Sequence, residues 1–523
     1  MHPLAPFSIN LLLTRLPAPP CHLLAIGAGF EASSSLLDRQ GYRVRYISSV
    51  AQQSTTDPAQ STDSGTFIHS HAGGNFAAPA ERFDGLLVAQ PVEPLIIFNL
   101  AIDYLSLAGD LVIIDQFVHM YDAPSSNHFP VLKEIIALAE RCGFELLECI
   151  DVPREHALAV EKTSDDLDLL LDPPTSVKAP TYSFHENHRS GIFALLHFRK
   201  KMLPKWRIRI LEKAQIDDMR SLFRKTFHHD MSRAFWEWKY DDSSARAVGI
   251  WEGHQLIAHY GGMGRRILYF GQPQTAVQIG DVMVDSSKRG VLTKKGPIFL
   301  MMATFLERYI GYGKPYFIGY GFPNDRHMKL AELLGLYADV GYMVECSWSP
   351  HSRLPLWSTR LRLIQKTPTD AEKKAIDSCW QRMAADLQGA IIGIRDWRYL
   401  EHRYLNHPAH DYQFLIMKNR LSSKVRGIFV LRLVPEGCEL VDCVAALSDI
   451  PLLITHARRL AGMQGAARLF CRITANFAHL FKVAGGIQHP INIRIPTNIW
   501  SNGPSAAVIK DHWWLMSGDM DFR

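Results

Sequence analysis

QIGDVMVDSSKRGVLTKKGPIFLMMATFLERYIG (278–311) and GFPNDRHMKLAELLGLY (321–337) decide the fold of this 523-residue chain. QIGDVMV (278–284), short and rich in Val, Ile and Met, reads as a strand, and the polar turn DSSKRG follows at once. From Pro297, which suits a first helical turn, Ile298, Met302, Phe305, Leu306 and Ile310 recur at helical spacing. Arg289, Gly290, Thr293, Lys294, Lys295 and Gly296 therefore lie between a strand end and a helix start. Free backbone N–H groups and the helix dipole favour a phosphate there, and the Arg and two Lys raise the positive potential. The competing reading is an ordinary basic turn, simply solvated. YFIGYGF (316–322) reads as the next strand; Asn324 then suits a helix N-cap and Gly335 a left-handed residue past the helix end.

This arrangement resembles the GNAT family of acyl-CoA-dependent N-acyltransferases. Val284 and Arg289-Gly290 match the spacing of the family's V-x-P-x-x-R-G-x-G-x-G pyrophosphate signature, while Leu292 and Lys294 stand where its later glycines fall. Asn324, Gly335 and Leu336 stand at the spacing of a second signature, and Ala331 occupies the place of a frequent Tyr general acid. The resemblance implies acetyl-CoA (acyl-CoA) as cosubstrate, held by Val282, Val284, Arg289, Gly290, Leu292, Thr293, Lys294, Lys295, Gly296 and Asn324, and an amine on a small molecule or peptide as acceptor. It also implies a backbone N–H at 282–284 as oxyanion donor. Asp281 is the candidate base, directly or through water, with a structural turn-capping carboxylate as its alternative; His327 or Tyr320 is the candidate acid for the leaving sulfur. His259 and Tyr260 line an acceptor pocket or are partly exposed strand residues, and Trp236, Trp238 and Tyr240 read as core rather than a ligand cage.

Upstream, WRIRIL (206–211), a helix around 216–226, the aromatic cluster FWEWKY (235–240) and a three-strand meander through 245–274 supply the order of elements that resemblance requires. Downstream, YLEHRY (399–404) echoes FWEWKY and again precedes strand-like runs, DYQFLIMK (411–418), VRGIFVLRLV (425–434) and CELVDCVA (438–445). A weaker internal repeat follows, a second GNAT-like half. Its turn reads ALSDIPLL, acidic and apolar, so no acyl-CoA is expected there. WWLMSGDMDF (513–522) reads as a final strand and an acidic turn.

The first 200 residues alternate strand and helix signals, which argues for an open, mostly parallel sheet covered on both faces. FDGLLVAQPVEP and LSLAGDLVIID resemble a class I S-adenosylmethionine-dependent methyltransferase domain. Gly27 and Gly29 match that family's first two loop glycines, but Glu31 replaces the third and Ser48-Ser49 stand where a ribose-binding carboxylate belongs. The domain reads as a degenerate methyltransferase fold, a tight strand-to-helix turn competing with S-adenosylmethionine binding. Residues 51–80 read as a polar loop and 152–182 as an insertion, and His185, Glu186 and His188 as a solvated loop rather than a metal site.

The fold class expected is α/β: an N-terminal doubly wound Rossmann-like sheet (1–203) followed by two GNAT-like mixed domains (204–362 and 363–523). Apolar residues at 47% leave ample core for roughly two to four domains. A net charge of +5 with no basic stripe argues against a nucleic-acid binder. Eight cysteines without CxxC pairs read as core hydrophobes of a reducing compartment. The apolar N-terminal run lacks a basic flank, which argues against a signal peptide, and no run reaches membrane-spanning length, so the default location is cytoplasmic. Three alternatives remain open: a methyltransferase acting through the first domain, a FemAB-type aminoacyl transferase, and a non-catalytic scaffold.

Overall fold

The leucine- and valine-rich runs of the N-terminal third pair as neighbours, as buried parallel strands do. The computed structural model describes residues 13–26, 34–47, 82–89, 93–117, 131–151, 192–240, 245–291, 293–351, 357–364, 368–422 and 424–520. Gly27, Gly29, Glu31, Ser48, Ser49, residues 51–80 and 152–182, the His185–Glu186–His188 group and Leu292 lie outside the described residues. Two compact units emerge, Met1–Ile216 with Ile250–Leu256, and Asp217–Gly249 with Ile257–Arg523.

In the first unit, β1 (Cys21–Ile26), β2 (Tyr42–Ile47), β3 (Phe83–Ala89), β4 (Leu105–Phe117), β5 (Phe144–Asp151) and β6 (Ile192–Lys200) form one open sheet. Their order is β2-β1-β3-β4-β6-β5. The β1, β2, β3 and β4 contacts are parallel, and β6 runs antiparallel to both its neighbours. Helices α1 (Ser34–Arg39), α2 (Pro94–Tyr104) and α3 (Leu132–Arg141) lie between strands in sequence. Phe98 of α2 packs its ring 5.5 Å from Phe144 and 5.7 Å from Phe198. Lys200, buried at the end of β6, donates to the carbonyls of Ile102 (2.8 Å) and Leu105 (2.5 Å), supplying the positive charge that a helix C-terminus favours. Burial, then the charges of Arg82 and Arg207, push its ammonium down to about 8.

The strands β7 (Arg207–Ile210), β8 (Arg246–Glu252), β9 (Gln255–Tyr269), β10 (Gln272–Val284), β11 (Ile318–Gly321) and β12 (Tyr337–Trp348) follow. With them come α4 (Ile216–Phe227), α5 (Arg233–Tyr240), α6 (Pro297–Tyr309) and α7 (Asp325–Leu333). FWEWKY is thus helical, its Trp236 and Tyr240 buried and Trp238 half-buried. Then come β13 (Thr359–Leu363), α8 (Asp370–Asp386), β14 (Ile391–Gly393), α9 (Trp397–Leu400) extended by a wider helical turn to Leu405, β15 (Gln413–Asn419), β16 (Val425–Val434), β17 (Gly437–Ala445), α10 (Ile450–Met463), β18 (Leu469–Thr474), β19 (Ile487–Asn498) and β20 (Trp513–Trp514).

These strands do not sort by position in the chain. One sheet of the second unit contains β11-β10-β9-β14-β20 and the other runs β13-β15-β16-β17-β18-β12-β19. So β12 is lent to the later sheet, while β14 and β20 are lent to the earlier one. Among the described residues no helix is long and apolar enough to cross a membrane, and no three His, Cys, Asp or Glu cluster as a metal site. All eight cysteines are free, Cys149 half-buried and the others buried.

A fully buried guanidinium ties the two sheets together. Arg395, just after β14, donates to Asp442 of β17 at 2.9 Å, to the Gly393 carbonyl at 2.9 Å, and to Asp519 near the C-terminus. Two carboxylates far from water are tolerable only while that cation and its hydrogen bonds are present. Arg395→Met is expected to lower the unfolding free energy by about 3–5 kcal/mol, read from urea unfolding, and a loss under about 1 kcal/mol would show the network to be dispensable.

Candidate functional site

The sequence Gly280-Asp281-Val282 breaks an otherwise regular ladder. Gly280 opposes Gly261 and Met283 opposes His259, so Asp281 and Val282 together face the single residue Tyr260. That two-against-one count is a β-bulge, and Asp281 adopts φ +49° within it. A non-glycine residue in that region costs on the order of 1 kcal/mol unless its surroundings fix it. Here three groups do. Lys239 Nζ and Tyr240 Oη, both from α5, donate to the Asp281 carboxylate at 2.8 and 2.5 Å. His259 Nδ1 lies 2.7 Å from the Asp281 carbonyl oxygen, which can only accept, so Nδ1 carries the proton. Burial, opposed by the Asp281 charge, pushes the His259 imidazole below its ordinary value, leaving it neutral.

This placement corrects the expectation of Asp281 as a base facing an acceptor cleft. Burial alone would raise its carboxyl, but the Lys239 ammonium and the hydrogen bonds from Lys239 and Tyr240 outweigh burial and hold it below the usual carboxylate range. Such a carboxylate is a weak base. Tyr320 is also corrected: it is 1% exposed, its ring 4.8 Å from that of Trp513, and its hydroxyl donates to Gln278 Oε1 at 3.4 Å. Burial drives its phenol far above the ordinary value, so it cannot serve as an acid at a strand surface. His259 and Tyr260 are likewise buried rather than lining a cleft, the Tyr260 hydroxyl bonding that of Tyr337.

The pairing of β10 with its parallel neighbour ends just before the bulge. β10 and β11 pair in parallel only from Ala276–Ile318 to Ile279–Gly321. Pro323, which has no N–H to donate, then ends β11, and the chain enters α7 through Asn324. Asn324 caps that helix, its side-chain oxygen accepting from the His327 N–H at 2.9 Å, and Gly335 closes it at φ +72°. β10 meanwhile continues with β9 to Val284, which is buried. A small, mainly apolar pocket has Ile279, Leu306, Ile310, Gly319, Tyr320 and Tyr337 in its lining.

The loop at the far end of β10 is built to hold a turn. Asp285 accepts from the Ser287 N–H (3.0 Å) and pairs with Lys225 (2.5 Å), and Arg289 Nε reaches back to the Val284 carbonyl at 3.0 Å. Gly296 must lack a side chain, since a Cβ there would lie 2.0 Å from the Val291 carbonyl oxygen. Among the described residues, the backbone N–H groups of Gly290, Val291, Thr293 and Lys294 have no hydrogen-bond partner. Gly296 gives α6 no side-chain cap, so the helix's first N–H groups also point outward. Arg289, Gly290, Thr293, Lys294 and Lys295 are exposed, and Lys294 Nζ stands 5.4 Å from the Trp500 ring. His327, exposed on the first turn of α7, is brought to this end. Partial burial and the charges of Arg289 and Arg326 push its imidazole down.

Unengaged peptide nitrogens and cations thus gather, among the described residues, in the loop after β10, and the bulge lies on that same strand. Val282, at the bulge, and Val284 lie on β10, Arg289, Gly290, Thr293, Lys294, Lys295 and Gly296 in the loop between β10 and α6, and Asn324 at the N-terminus of α7.

Residues 207–328 match the model of the acetyltransferase (GNAT) domain. The match spans the bulge, the loop and the N-terminus of α7. Among solved structures the chain is similar to a GCN5-related N-acetyltransferase of Kribbella flavida (15% identity, 56% of this chain and 71% of that one, TM-score 0.41). A second, from Anabaena variabilis, gives 13% identity over 56% of this chain and 73% of that one, TM-score 0.42. A Saccharomyces cerevisiae N-myristoyltransferase with bound myristoyl-CoA gives 11% identity over 58% and 80%, TM-score 0.39. Comparison with curated protein sequences finds no significant match.

The sequence reading missed the Lys239–Tyr240–Asp281–His259 group and Trp500. The available signal was the repeated basic-Tyr ending of FWEWKY and YLEHRY, whose tyrosines both donate to a buried aspartate, Tyr404 to Asp442 at 2.7 Å. Lys239→Met leaves Asp281 buried without its cation, a loss of about 3 kcal/mol or more at pH 7. A carboxylate with a lowered folded pKa contributes stability while ionised and loses it as pH falls through that pKa. The deficit against the native chain, measured by urea unfolding across pH, should therefore narrow below about pH 4.

Proposed function

We propose that the chain is an acyl-CoA-dependent N-acyltransferase transferring an acyl group, acetyl in the simplest case, to an amine. One observation carries the assignment: β10, its pairing with β11 ended at Ile279, runs through a fixed bulge to a cationic loop whose peptide nitrogens are unengaged among the described residues. A diphosphate fits the loop and the end of α6, and an extended pantetheine arm fits the fork, where its amides can take over the strand hydrogen bonds that β10 and β11 no longer exchange. The thioester carbonyl then falls at the bulge, where the Val282 N–H supplies the oxyanion donor.

Within this mechanism Asp281 acts as a positioning group. Its ion pair holds the bulge, and with it the donor, in place before substrate arrives, which is where preorganised electrostatic catalysis gains its advantage. His327 and Arg289 belong to the phosphate end. Ala331 leaves no motif acid, but a thiol with a pKa of about 8.5 departs as a thiolate and can take its proton from water.

We further infer that residues 363–523 form a second GNAT-like half, supported by a repeated helix ending in Tyr, a repeated bulge beside a buried Asp, and a second parallel strand pair. For the N-terminal unit we infer a degenerate methyltransferase-like fold, supported by its strand order with β6 alone reversed.

Acetyl-CoA at about 100 times its dissociation constant should add roughly 2.7 kcal/mol of stability and raise the melting temperature. The Arg289→Ala/Lys294→Ala/Lys295→Ala variant should keep its own melting temperature and lose that rise. S-adenosylmethionine alongside should give none. A rise with S-adenosylmethionine alone, or an undiminished acetyl-CoA response in the variant, would overturn the assignment.

A further inference from the structure

The second half carries the same fork, and there the chain fills it with itself. A strand has two hydrogen-bonding edges. One edge of β18 is taken along its whole length, Leu469 to Thr474, by β12. The other meets β17 only at Leu469 and Phe470, after which the β17–β18 pairing ends, as the β10–β11 pairing ends at Ile279 and Gly321. Along that vacated edge Ile473 pairs with Met516, and the Thr474 N–H donates to the Leu515 carbonyl at 3.1 Å. Thr474 Oγ1 donates to the Trp513 carbonyl at 2.6 Å. On the β17 side, the Met516 sulfur lies 3.7 Å from that of Cys443. Gly518 sits so close to Tyr404 and Asp442 that a Cβ would fall 2.0 Å from the Tyr404 oxygen and 3.2 Å from the Asp442 Cβ. Residues 515–519, which run on from β20 into a short 3-10 turn, thus lie against the free end of β18 through one bridge and against β17 through side-chain contacts. In the first half, among the described residues, no strand pairs with the matching edge of β10 beyond Ile279; only the Arg289 side chain reaches it, donating to the Val284 carbonyl at 3.0 Å.

We infer that residues 513–519 are a built-in occupant of the second groove, so that this half takes no acyl-CoA and each chain holds one. The ligand part of the inference rests on the acyl-CoA assignment of the first half; the occupancy does not. The turn after β17 agrees with it. Where the first half has free N–H groups and lysines, the second has Asp449, held by Arg426 Nε at 3.0 and 3.1 Å, and a carboxylate there repels a diphosphate. The occupant also reaches the first half. The Asp519 carbonyl accepts from Gln278 Nε2 at 2.6 Å, two residues before Gly280, and its carboxylate binds Arg395. The occupant thus braces the strand that carries the bulge.

Amide hydrogen exchange on the full chain, with and without acetyl-CoA, tests both parts. Without ligand the Thr474 and Met516 amides should exchange slowly. Gly518→Ala, which forces the occupant out, should speed Thr474 exchange by about tenfold or more while α6 stays protected. With acetyl-CoA, protection should rise at 290–299 and stay unchanged at 440–443 and 471–474, and calorimetry should give one site per chain. Ligand-induced protection at 440–443, or a second calorimetric site, overturns the inference. So does Thr474 exchange that is unmoved by Gly518→Ala. If acetyl-CoA has no effect anywhere, the first-half assignment fails and the Gly518→Ala comparison still decides the occupancy.

Discussion

A left-handed aspartate held by a buried lysine is the constraint on which the site depends. Asp281 at φ +49° is unfavourable alone, and it persists because Lys239, Tyr240 and His259 each engage it. The bulge it creates begins just where β10 stops pairing with its parallel neighbour, at Ile279 and Gly321. Gly261 completes the arrangement from the facing strand, where a Cβ would meet the Tyr240 hydroxyl at 2.6 Å and His259 at 2.8 Å. Charge and shape are thus set by one small group of side chains drawn from α5, β9 and β10.

The same design recurs with different chemistry. In the second half Tyr404 donates to Asp442 beside the extra residue Val441 of β17, but the cation is Arg395 rather than a lysine from the same helix. Arg395 also holds Asp519, so the second clamp is coupled to the C-terminal segment while the first leaves its fork open. A guanidinium can serve two carboxylates at once through separate N–H groups, which a single ammonium does less well. The exchange of β12, β14 and β20 between sheets makes the halves depend on each other, since neither sheet is complete from its own stretch of chain.

Much of this was legible in the sequence. Pro297 opens α6, Asn324 caps α7, and Gly335 takes the left-handed conformation, because each is a local choice with a local physical cause. The strand–loop–helix order and the FWEWKY/YLEHRY echo were readable for the same reason. Asp281 and Tyr320 were not. An aspartate beside a strand end looks the same in sequence whether it faces water or a buried lysine 42 residues away. The strand exchange was equally hidden, since alternation along a strand says which face is buried but not which strand lies beside it. Gly296 was legible as a residue of the phosphate-facing loop, but its need to lack a side chain was not, since that arises from the Val291 carbonyl that the folded loop brings against it.

The most direct test is a structure determined with coenzyme A bound. The account predicts the diphosphate on the peptide nitrogens of 290–296 and the first turn of α6, with the pantetheine arm running between Val282 and Phe322 toward the bulge. Coenzyme A bound elsewhere, or a loop whose nitrogens stay unengaged beside the bound ligand, would contradict it.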